Sequence, residues 1–158
     1  MADVERSYGL ASREQFEAMS GIELLLAMIR GELPAPPISR TLGMVLVDVE
    51  PGRAVFEGRA GPHLYNPLGS VHGGFALTLI DSATGCAVHS ELEAGVGYTT
   101  VETKANMVRP VPSEGIVRCE GRVLSRGRQI ATAEACLRSA DGKLLAHGTS
   151  TLIILGKR

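Results

Sequence analysis

The chain has 158 residues, which suffices for one sizeable hydrophobic core and predicts a single domain. Its formal net charge of −1 gives no overall attraction for nucleic acid or for anionic lipid. Trp is absent and aromatic residues make up only 4% of the chain, so a protein that stacks single-stranded bases is excluded as well. We therefore expect neither a nucleic-acid partner nor a membrane partner.

The cysteines and the N-terminal residues indicate in which cellular compartment the protein is expected. Cys86, Cys119 and Cys136 form no CxxC pair and leave one over, which argues against a disulfide framework or a zinc site. The polar start lacks the basic and apolar regions of a signal peptide, and no apolar run approaches about 20 residues. We expect a cytoplasmic protein without a metal, and we interpret His63, His89 and His147, which lack ligand spacing, as structural or surface histidines.

Residues 12–34 repeat apolar side chains at three- and four-residue steps, which is typical of an amphipathic helix. Gly31 and Pro34 mark its end. We predict one helix packed over the edge of the domain, and a lid over a substrate site is the alternative. Together with the proline-rich PAPP stretch it makes residues 1–40 an N-terminal helix and linker, and residues 41–158 the globular unit. The apolar positions of the helix are Phe16, Met19, Ile22, Leu25, Leu26 and Ile29.

Six segments have the composition of β-strands. GMVLVDVE and AVFEGRA are joined by a PGR turn and predict a hairpin. GYTTVETKANMVR, GIVRCEGRVLS, RQIATAEACLRSA and KLLAHGTSTLIIL follow later, with turns between them. The fifth segment mostly alternates small apolar residues with polar ones, which indicates an antiparallel sheet with one buried face that another element approaches closely. Its apolar positions are Ile130, Ala131, Ala133, Ala135 and Leu137.

Between the second and third strands, residues 74–88 read GFALTLIDSATGCAV and are apolar on nearly every side. A length of about 15 residues favours a helix over a buried strand, and a helix that is apolar all round belongs inside the molecule. The sequence therefore predicts an α+β domain, in which a six-stranded antiparallel sheet wraps around one long central helix.

Asp81 interrupts this apolar helix. A buried carboxylate without partners costs several kcal/mol, so Asp81 needs either a hydrogen-bonding neighbour such as Ser82 or Thr78, or a chemical role. Upstream, Asn66 and Pro67 begin a turn that leads to the start of the helix. Both interpretations of Asp81 remain open at this point.

His72, Gly73 and Gly74 fall at the predicted helix start, where free N–H groups and the helix dipole stabilise an anion or a developing oxyanion. Glycine also lets a ligand approach this backbone closely. Gly73 and Asp81 are eight positions apart, or about 12 Å along a helix, so one chain cannot bring both to one carbonyl group. If both act together, a second copy of the helix must run antiparallel, which predicts a two-fold homodimer with two sites.

The whole pattern resembles the hotdog-fold acyl-CoA thioesterases of the phenylacetate-degradation (PaaI-like) branch. It consists of Asn66, HGG six positions later, Asp81 and the NMVRP strand end, and the resemblance covers about residues 41–155. The GELPAPPI lead-in is similar to a subset of that branch. The resemblance implies a hotdog fold, hydrolysis of an acyl-CoA to free acid and CoA, no cofactor beyond the CoA of the substrate, and homodimers that pair into tetramers.

The resemblance also implies roles for individual residues. Asp81 would be the general base or the nucleophile, and the backbone N–H of Gly73 from the partner subunit would be the oxyanion donor. Asn66 would help to hold the carbonyl group or the carboxylate. His72 would assist the leaving thiolate, or would only order the start of the helix. Thr100 would position the attacking water, although the adjacent Thr99 leaves the register open.

Substrate binding is less defined by the pattern. Arg109, Arg126 and Arg128 are candidates to bind the phosphates of CoA, because a guanidinium group suits phosphate, and a solvated turn is the alternative for each. The acyl group would meet Gly74 and the side chains of Leu68, Phe75 and Leu79, and its identity stays open. Two other functions remain: a non-hydrolytic acyl-CoA binding or sensing module, and a hotdog dehydratase, which the spacing of His72 and Asp81 does not resemble.

Overall fold

The computed structural model describes residues 6–156. Within this range it contains four α-helices and six β-strands, with a short 3-10 helix at Pro62–Leu64. The helices are Arg13–Ala18 (α1), Gly21–Ile29 (α2), Pro37–Leu42 (α3) and Gly73–His89 (α4). The strands are Met44–Glu50 (β1), Arg53–Ala60 (β2), Gly97–Met107 (β3), Gly115–Arg126 (β4), Ile130–Ser139 (β5) and Leu144–Leu155 (β6).

The strands form one sheet in the order β1-β2-β4-β5-β6-β3, and every neighbouring pair is antiparallel. The predicted β1–β2 hairpin and the sheet curled around a long helix are confirmed. On β5 the small residues from Ala131 to Leu137 point inward as predicted, whereas Ile130 is out of phase and 56% exposed. Gly121 of β4 lies against the backbone of α4, and a Cβ atom there would come within 2.8 Å of the Thr84 amide nitrogen.

The central helix α4 begins one residue before the predicted start and ends one residue after the predicted end. Phe75, Ala76, Leu79, Ile80 and Ala83 are fully buried beneath the sheet. The helix is not enclosed all round, however: Leu77 is 38% exposed and Asp81 is only partly buried. The uncovered side of α4 lies next to β3, the last strand of the sheet.

The N-terminal segment differs from the prediction of one continuous helix, which is wrong. Met19 adopts an extended conformation (φ −112°, ψ 136°) and separates α1 from α2. Ser20 then begins a second helix, and its backbone N–H donates to the Glu23 carboxylate at 2.8 Å. The predicted linker also contains the short helix α3, which has Pro37 at its first position, where proline is well tolerated.

The two edges of the sheet have different surroundings. At one edge, α2 packs against β1 and also contacts α4. At the other edge, β3 pairs on one side only, with β6, and its outer edge has no strand partner among residues 6–156. A β-bulge at Val101 interrupts the pairing of β3 with β6. None of the helices in residues 6–156 is long and apolar enough to cross a membrane.

Candidate active site

The helix α4 runs antiparallel alongside β3, and the cleft between them is called here the α4–β3 groove. Three contacts define its course. They join Gly73 to Met107, Asp81 to Thr103, and Gly85 to Tyr98. Because β3 is an edge strand, the groove opens to the surface of the protomer. It carries Asp81 about midway between its two ends.

Asp81 is held from β3. Its Oδ1 accepts a hydrogen bond from the hydroxyl of Thr103 at 3.1 Å. The Thr103 hydroxyl in turn lies 3.0 Å from the Ser150 hydroxyl on β6, and Thr84 donates to Ser150 at 2.7 Å. This hydroxyl chain connects the carboxylate to the buried interior, and its members fix one another's orientation.

Thr78 and Ser82, which were predicted to hydrogen-bond to Asp81, do not do so in the structure. Thr78 donates to the Gly74 carbonyl oxygen at 2.8 Å instead. Ser82 makes no side-chain hydrogen bond to Asp81 within the described residues. The expectation of a fully buried carboxylate is also wrong for the single protomer, because Asp81 faces the edge of the sheet rather than its middle.

The register of β3 shows which threonines face α4. Thr100 lies opposite the buried Leu152, whereas Thr99 lies opposite the exposed Ile153. Residues paired across antiparallel strands point to the same face, so Thr100 points toward the groove and Thr99 points away from it. Thr103, which the sequence analysis missed, shares this inward face because it lies opposite Ser150.

The start of α4 is exposed and capped by His72. The Nδ1 of His72 accepts a hydrogen bond from the Gly74 amide at 2.8 Å, so the proton of the neutral ring is on Nε2. The N–H of Gly73 has no hydrogen-bond acceptor within residues 6–156. This amide is therefore available at the positive end of the helix dipole.

Asn66 orders the loop that leads to α4. Its Oδ1 accepts hydrogen bonds from the amides of Leu68 at 2.9 Å and Ser70 at 3.2 Å. Its Nδ2 donates to the Ser70 hydroxyl at 3.0 Å. Within one protomer Asn66 is thus a loop residue, and the structure does not bring it to the Asp81 of the same chain.

The three residues predicted to line an acyl pocket do not come together beside Asp81. Leu68 is 91% exposed on the loop. Phe75 and Leu79 are buried against β2, where a Cβ atom on Gly58 would lie 2.7 Å from the Phe75 ring and 3.0 Å from Leu79. Since β2 and β3 lie toward opposite ends of the sheet, Phe75 and Leu79 belong to the core on the far side of α4 from Asp81.

The candidate phosphate ligands lie at opposite ends of the sheet. Arg109 follows the end of β3, and its guanidinium donates to the Leu144 carbonyl oxygen at 2.9 Å. Arg126 and Arg128 are exposed at the turn between β4 and β5. At the end near Arg109, Met107 of β3 pairs with Ala146 of β6, which pairs with Leu137 of β5. At the other end, Thr99 pairs with Ile153, which pairs with Ile130 of β5. Ile130 and Leu137 are about 23 Å apart along β5, so one protomer does not combine these arginines into a single phosphate site.

Tyr98 and His89 lie beyond Asp81 at one end of the groove, whereas Cys86 lies on the side of α4 that faces α2 and β2. Burial, and to a smaller extent the charge of Asp81, raise the pKa of the Cys86 thiol to about 12. Burial, followed by Cys86 and Asp81, also raises the pKa of Tyr98 well above its usual value. Burial lowers the pKa of His89, which packs beside Tyr98. Within residues 6–156 no cluster of three or more His, Cys, Asp or Glu side chains is arranged to bind a metal ion.

Comparison with known proteins identifies this arrangement. The thioesterase superfamily matches residues 68–146, which include the start of α4, Asp81 and Thr103. Human acyl-coenzyme A thioesterase 13 is 28% identical, over 80% of this chain and 91% of its own. A phenylacetic acid degradation-related protein from Ralstonia eutropha is 33% identical with a TM-score of 0.74, covering 82% of this chain and 98% of its own. The E. coli PaaI protein is 20% identical with a TM-score of 0.70, covering 76% and 85%, and shares the fold.

The chain therefore belongs to the thioesterase superfamily, and its fold is the hotdog fold. The predicted resemblance to PaaI-like thioesterases is confirmed, and the protein is a thioester hydrolase. Two features of the groove were not predicted from the sequence: Thr103 as the partner of Asp81, and Tyr98 at the end of the groove.

Proposed function

We propose that this protein is an acyl-CoA thioesterase in which Asp81 acts on the thioester carbonyl and Gly73 of the partner subunit donates to the oxyanion. The observation that carries the proposal is the placement of Asp81: an anchored, partly exposed carboxylate in an open groove, hydrogen-bonded to Thr103 at 3.1 Å. Relatives named for acyl-coenzyme A support the substrate class. The free cysteines fit the reducing cytoplasm, where we place the enzyme.

The site is complete only in a homodimer. Gly73 and Asp81 are about 12 Å apart along α4, so they serve one carbonyl group only if two copies of α4 lie head to tail. The bare edge of β3, with Val101 54% and Met107 49% exposed, supports an interface on this side, because exposed edge strands of this length are normally paired or covered. We propose that such dimers pair further into tetramers, as the resemblance implies.

Hydrolysis follows from these groups without a metal or a further cofactor. Asp81 removes a proton from a water molecule positioned by Thr100, and the resulting hydroxide adds to the carbonyl carbon. In the alternative mechanism, the Asp81 carboxylate itself attacks the carbonyl carbon as the nucleophile. The N–H of the partner's Gly73 stabilises the oxyanion, and Asn66 of the partner subunit contributes a second donor. The C–S bond then breaks, and little acid catalysis is needed because a thiol with a pKa of about 8.5 is a good leaving group.

Release of free thiol from a panel of CoA esters tests the proposal. Wild-type protein should hydrolyse at least one ester, and Asp81→Asn, which keeps the shape of the side chain, should lower kcat by about 10²- to 10⁴-fold. Asp81→Ala should abolish turnover. Asp141→Asn is a matched control, since Asp141 is an exposed carboxylate in the turn between β5 and β6. It should leave the rate unchanged.

Three results would contradict the proposal. Wild-type rates in Asp81→Asn would exclude Asp81 as the reacting carboxylate. CoA esters that stay intact while they raise the midpoint of thermal unfolding would show a binding or sensing module instead. Loss of a hydroxyl group from a hydroxyacyl ester, without release of thiol, would show a dehydratase.

A further inference from the structure

Tyr98 crosses the α4–β3 groove beyond Asp81. Its side chain points from β3 toward α4, and its hydroxyl meets the helix at Gly85: a Cβ atom on Gly85 would lie 2.7 Å from this oxygen and 3.2 Å from Cζ. Only glycine at this helical position lets the ring reach the helix backbone. Gly85 follows Asp81 by one turn, so the ring stands about 6 Å beyond the carboxylate along the axis of α4.

A second cavity lies behind this ring, and we call it the rear pocket. Its volume is about 330 Å³. Phe16 of α1 and His89 at the end of α4 line it, with ring centroids 6.5 Å apart, and the His89 ring lies 5.5 Å from Tyr98. The rear pocket is lined by Phe16, His89, Gly95, Gly97, Tyr98, Leu155 and Gly156. A side chain at Gly97 would extend into it, since a Cβ atom there lies 3.7 Å from Phe16 and 4.0 Å from Leu155.

The α4–β3 groove therefore extends from Asp81 in two directions. Toward Gly73 it leads to the second site of the proposed dimer. In the opposite direction it ends at Tyr98, which separates the groove from the rear pocket. An acyl group that follows this second direction has about 6 Å before it meets the ring, which is the contour length of about four C–C bonds.

We propose that Tyr98 is the specificity-determining residue of the site: its ring ends the acyl pocket and restricts the enzyme to short acyl chains. The rear pocket is then unused in the wild-type enzyme and becomes accessible only when the ring is removed. The inference rests on the proposed function, because it places the thioester carbonyl at Asp81.

The test compares acyl-chain profiles from acetyl-CoA to decanoyl-CoA in four variants. Wild type, Tyr98→Phe and Gly97→Val should share one profile that falls beyond about butyryl-CoA, because the ring is present in all three. Tyr98→Ala should join the groove to the rear pocket and raise the ratio of kcat/KM for octanoyl-CoA over butyryl-CoA by about tenfold or more. Adding Gly97→Val to Tyr98→Ala should fill the rear pocket and reverse that gain. Tyr98→Leu, which keeps more buried apolar surface, replaces Tyr98→Ala if the latter does not fold.

Each result tests whether the Tyr98 ring ends the acyl pocket. A Gly97→Val protein that loses only long esters would show that acyl chains already reach the rear pocket past Tyr98, which overturns the proposal. An unchanged profile in both Tyr98→Ala and Tyr98→Leu would do the same. If wild type hydrolyses no CoA ester, the proposed function fails. The role of the Tyr98 ring is then tested by binding: long acyl-CoAs should raise the thermal midpoint of Tyr98→Ala and not that of the wild type. Equal midpoint shifts would overturn it.

Discussion

The carboxylate of Asp81 is oriented by hydroxyl groups that belong to the sheet. Thr103 on β3 donates to Asp81, and Ser150 and Thr84 continue the chain into the interior. In the proposed mechanism Asp81 acts on one carbonyl group, and its efficiency falls when its orientation varies, so we propose Thr103 as a positioning residue. Its contribution should therefore appear in kcat and not in the binding of substrate.

Thr103→Val removes the hydrogen bond and keeps the β-branched shape. We expect kcat to fall about tenfold, in line with about 1.5 kcal/mol for a hydrogen bond to a charged group, while KM changes little. Thr103→Ser restores the hydroxyl and should recover most of the rate. The measurement is steady-state thiol release. An equal loss in both variants, or a rise in KM alone, would assign Thr103 a purely structural role.

Burial raises the pKa of Cys86, and the charge of Asp81, five residues earlier on α4, raises it further. A thiol with a pKa raised to about 12 from a usual 9.0 has about 10³-fold less thiolate at pH 8 than an unperturbed thiol. Alkylation of Cys86 by iodoacetamide, followed by mass spectrometry, should therefore be about 10³-fold slower than that of a free peptide thiol. Asp81→Asn removes one cause of the raised pKa and should accelerate the reaction. A rate at Cys86 equal to that of the peptide would contradict the raised pKa.

The elements that bring these residues together follow local sequence rules to different degrees. The long helix, the six strands and the inward alanines of β5 were predictable, because apolar periodicity and glycine or proline turns mark them directly. The face of β3 was not predictable. Simple alternation groups Thr100 with Glu102, but the bulge at Val101 places Thr100 and Thr103 on the inward face and turns Glu102 outward toward Thr151. Such an extra residue leaves no mark in the pattern of side chains.

The sequence contains a partial signal for the break between α1 and α2. SREQ and SGIE are both capping-box patterns, and the second one begins a new helix in the middle of a continuous apolar stripe. The stripe suggested one helix because Phe16 of α1 packs against the same small cluster that contains Leu24 and Ala27 of α2. Packing of α2 on α4 decides the division, since Gly21 allows α2 to begin directly at the end of α4.

Gly21→Ala should separate these two helices. A Cβ atom there would overlap the His89 carbonyl oxygen and lie 2.7 Å from its carbon, and neither backbone atom moves freely. We expect a loss of about 1–3 kcal/mol in the free energy of unfolding, measured by urea denaturation. Gly9→Ala is the control, because its Cβ atom would make an ordinary contact of 3.6 Å with Pro34. Equal stability of the two variants would show that α2 adjusts without cost.

At the scale of the whole molecule, the asymmetry of the sheet determines where a second copy fits. One edge is packed with α2, while the edge next to Asp81 is bare and carries exposed apolar residues at Leu77, Val101 and Met107. In the proposed dimer, a two-fold pairing on this side closes the groove over Asp81 and supplies the amide that the same chain cannot supply. The sequence did not show which edge would stay bare or that α2 would pack at the opposite edge, because both depend on the order of the strands.

Mixed dimers test this shared site directly. Gly73→Pro removes the amide donor alone, since proline is tolerated at the first helical position and His72 already has the extended conformation (ψ 136°) that precedes proline. Asp81→Ala and Gly73→Pro chains should each be inactive alone. When they are unfolded together and refolded at equal amounts, half of the dimers are mixed and each has one intact site, so activity should return to roughly a quarter of wild type. Differently tagged chains establish that mixing has occurred. Mixed dimers that remain as inactive as their parents would contradict a site shared between two chains.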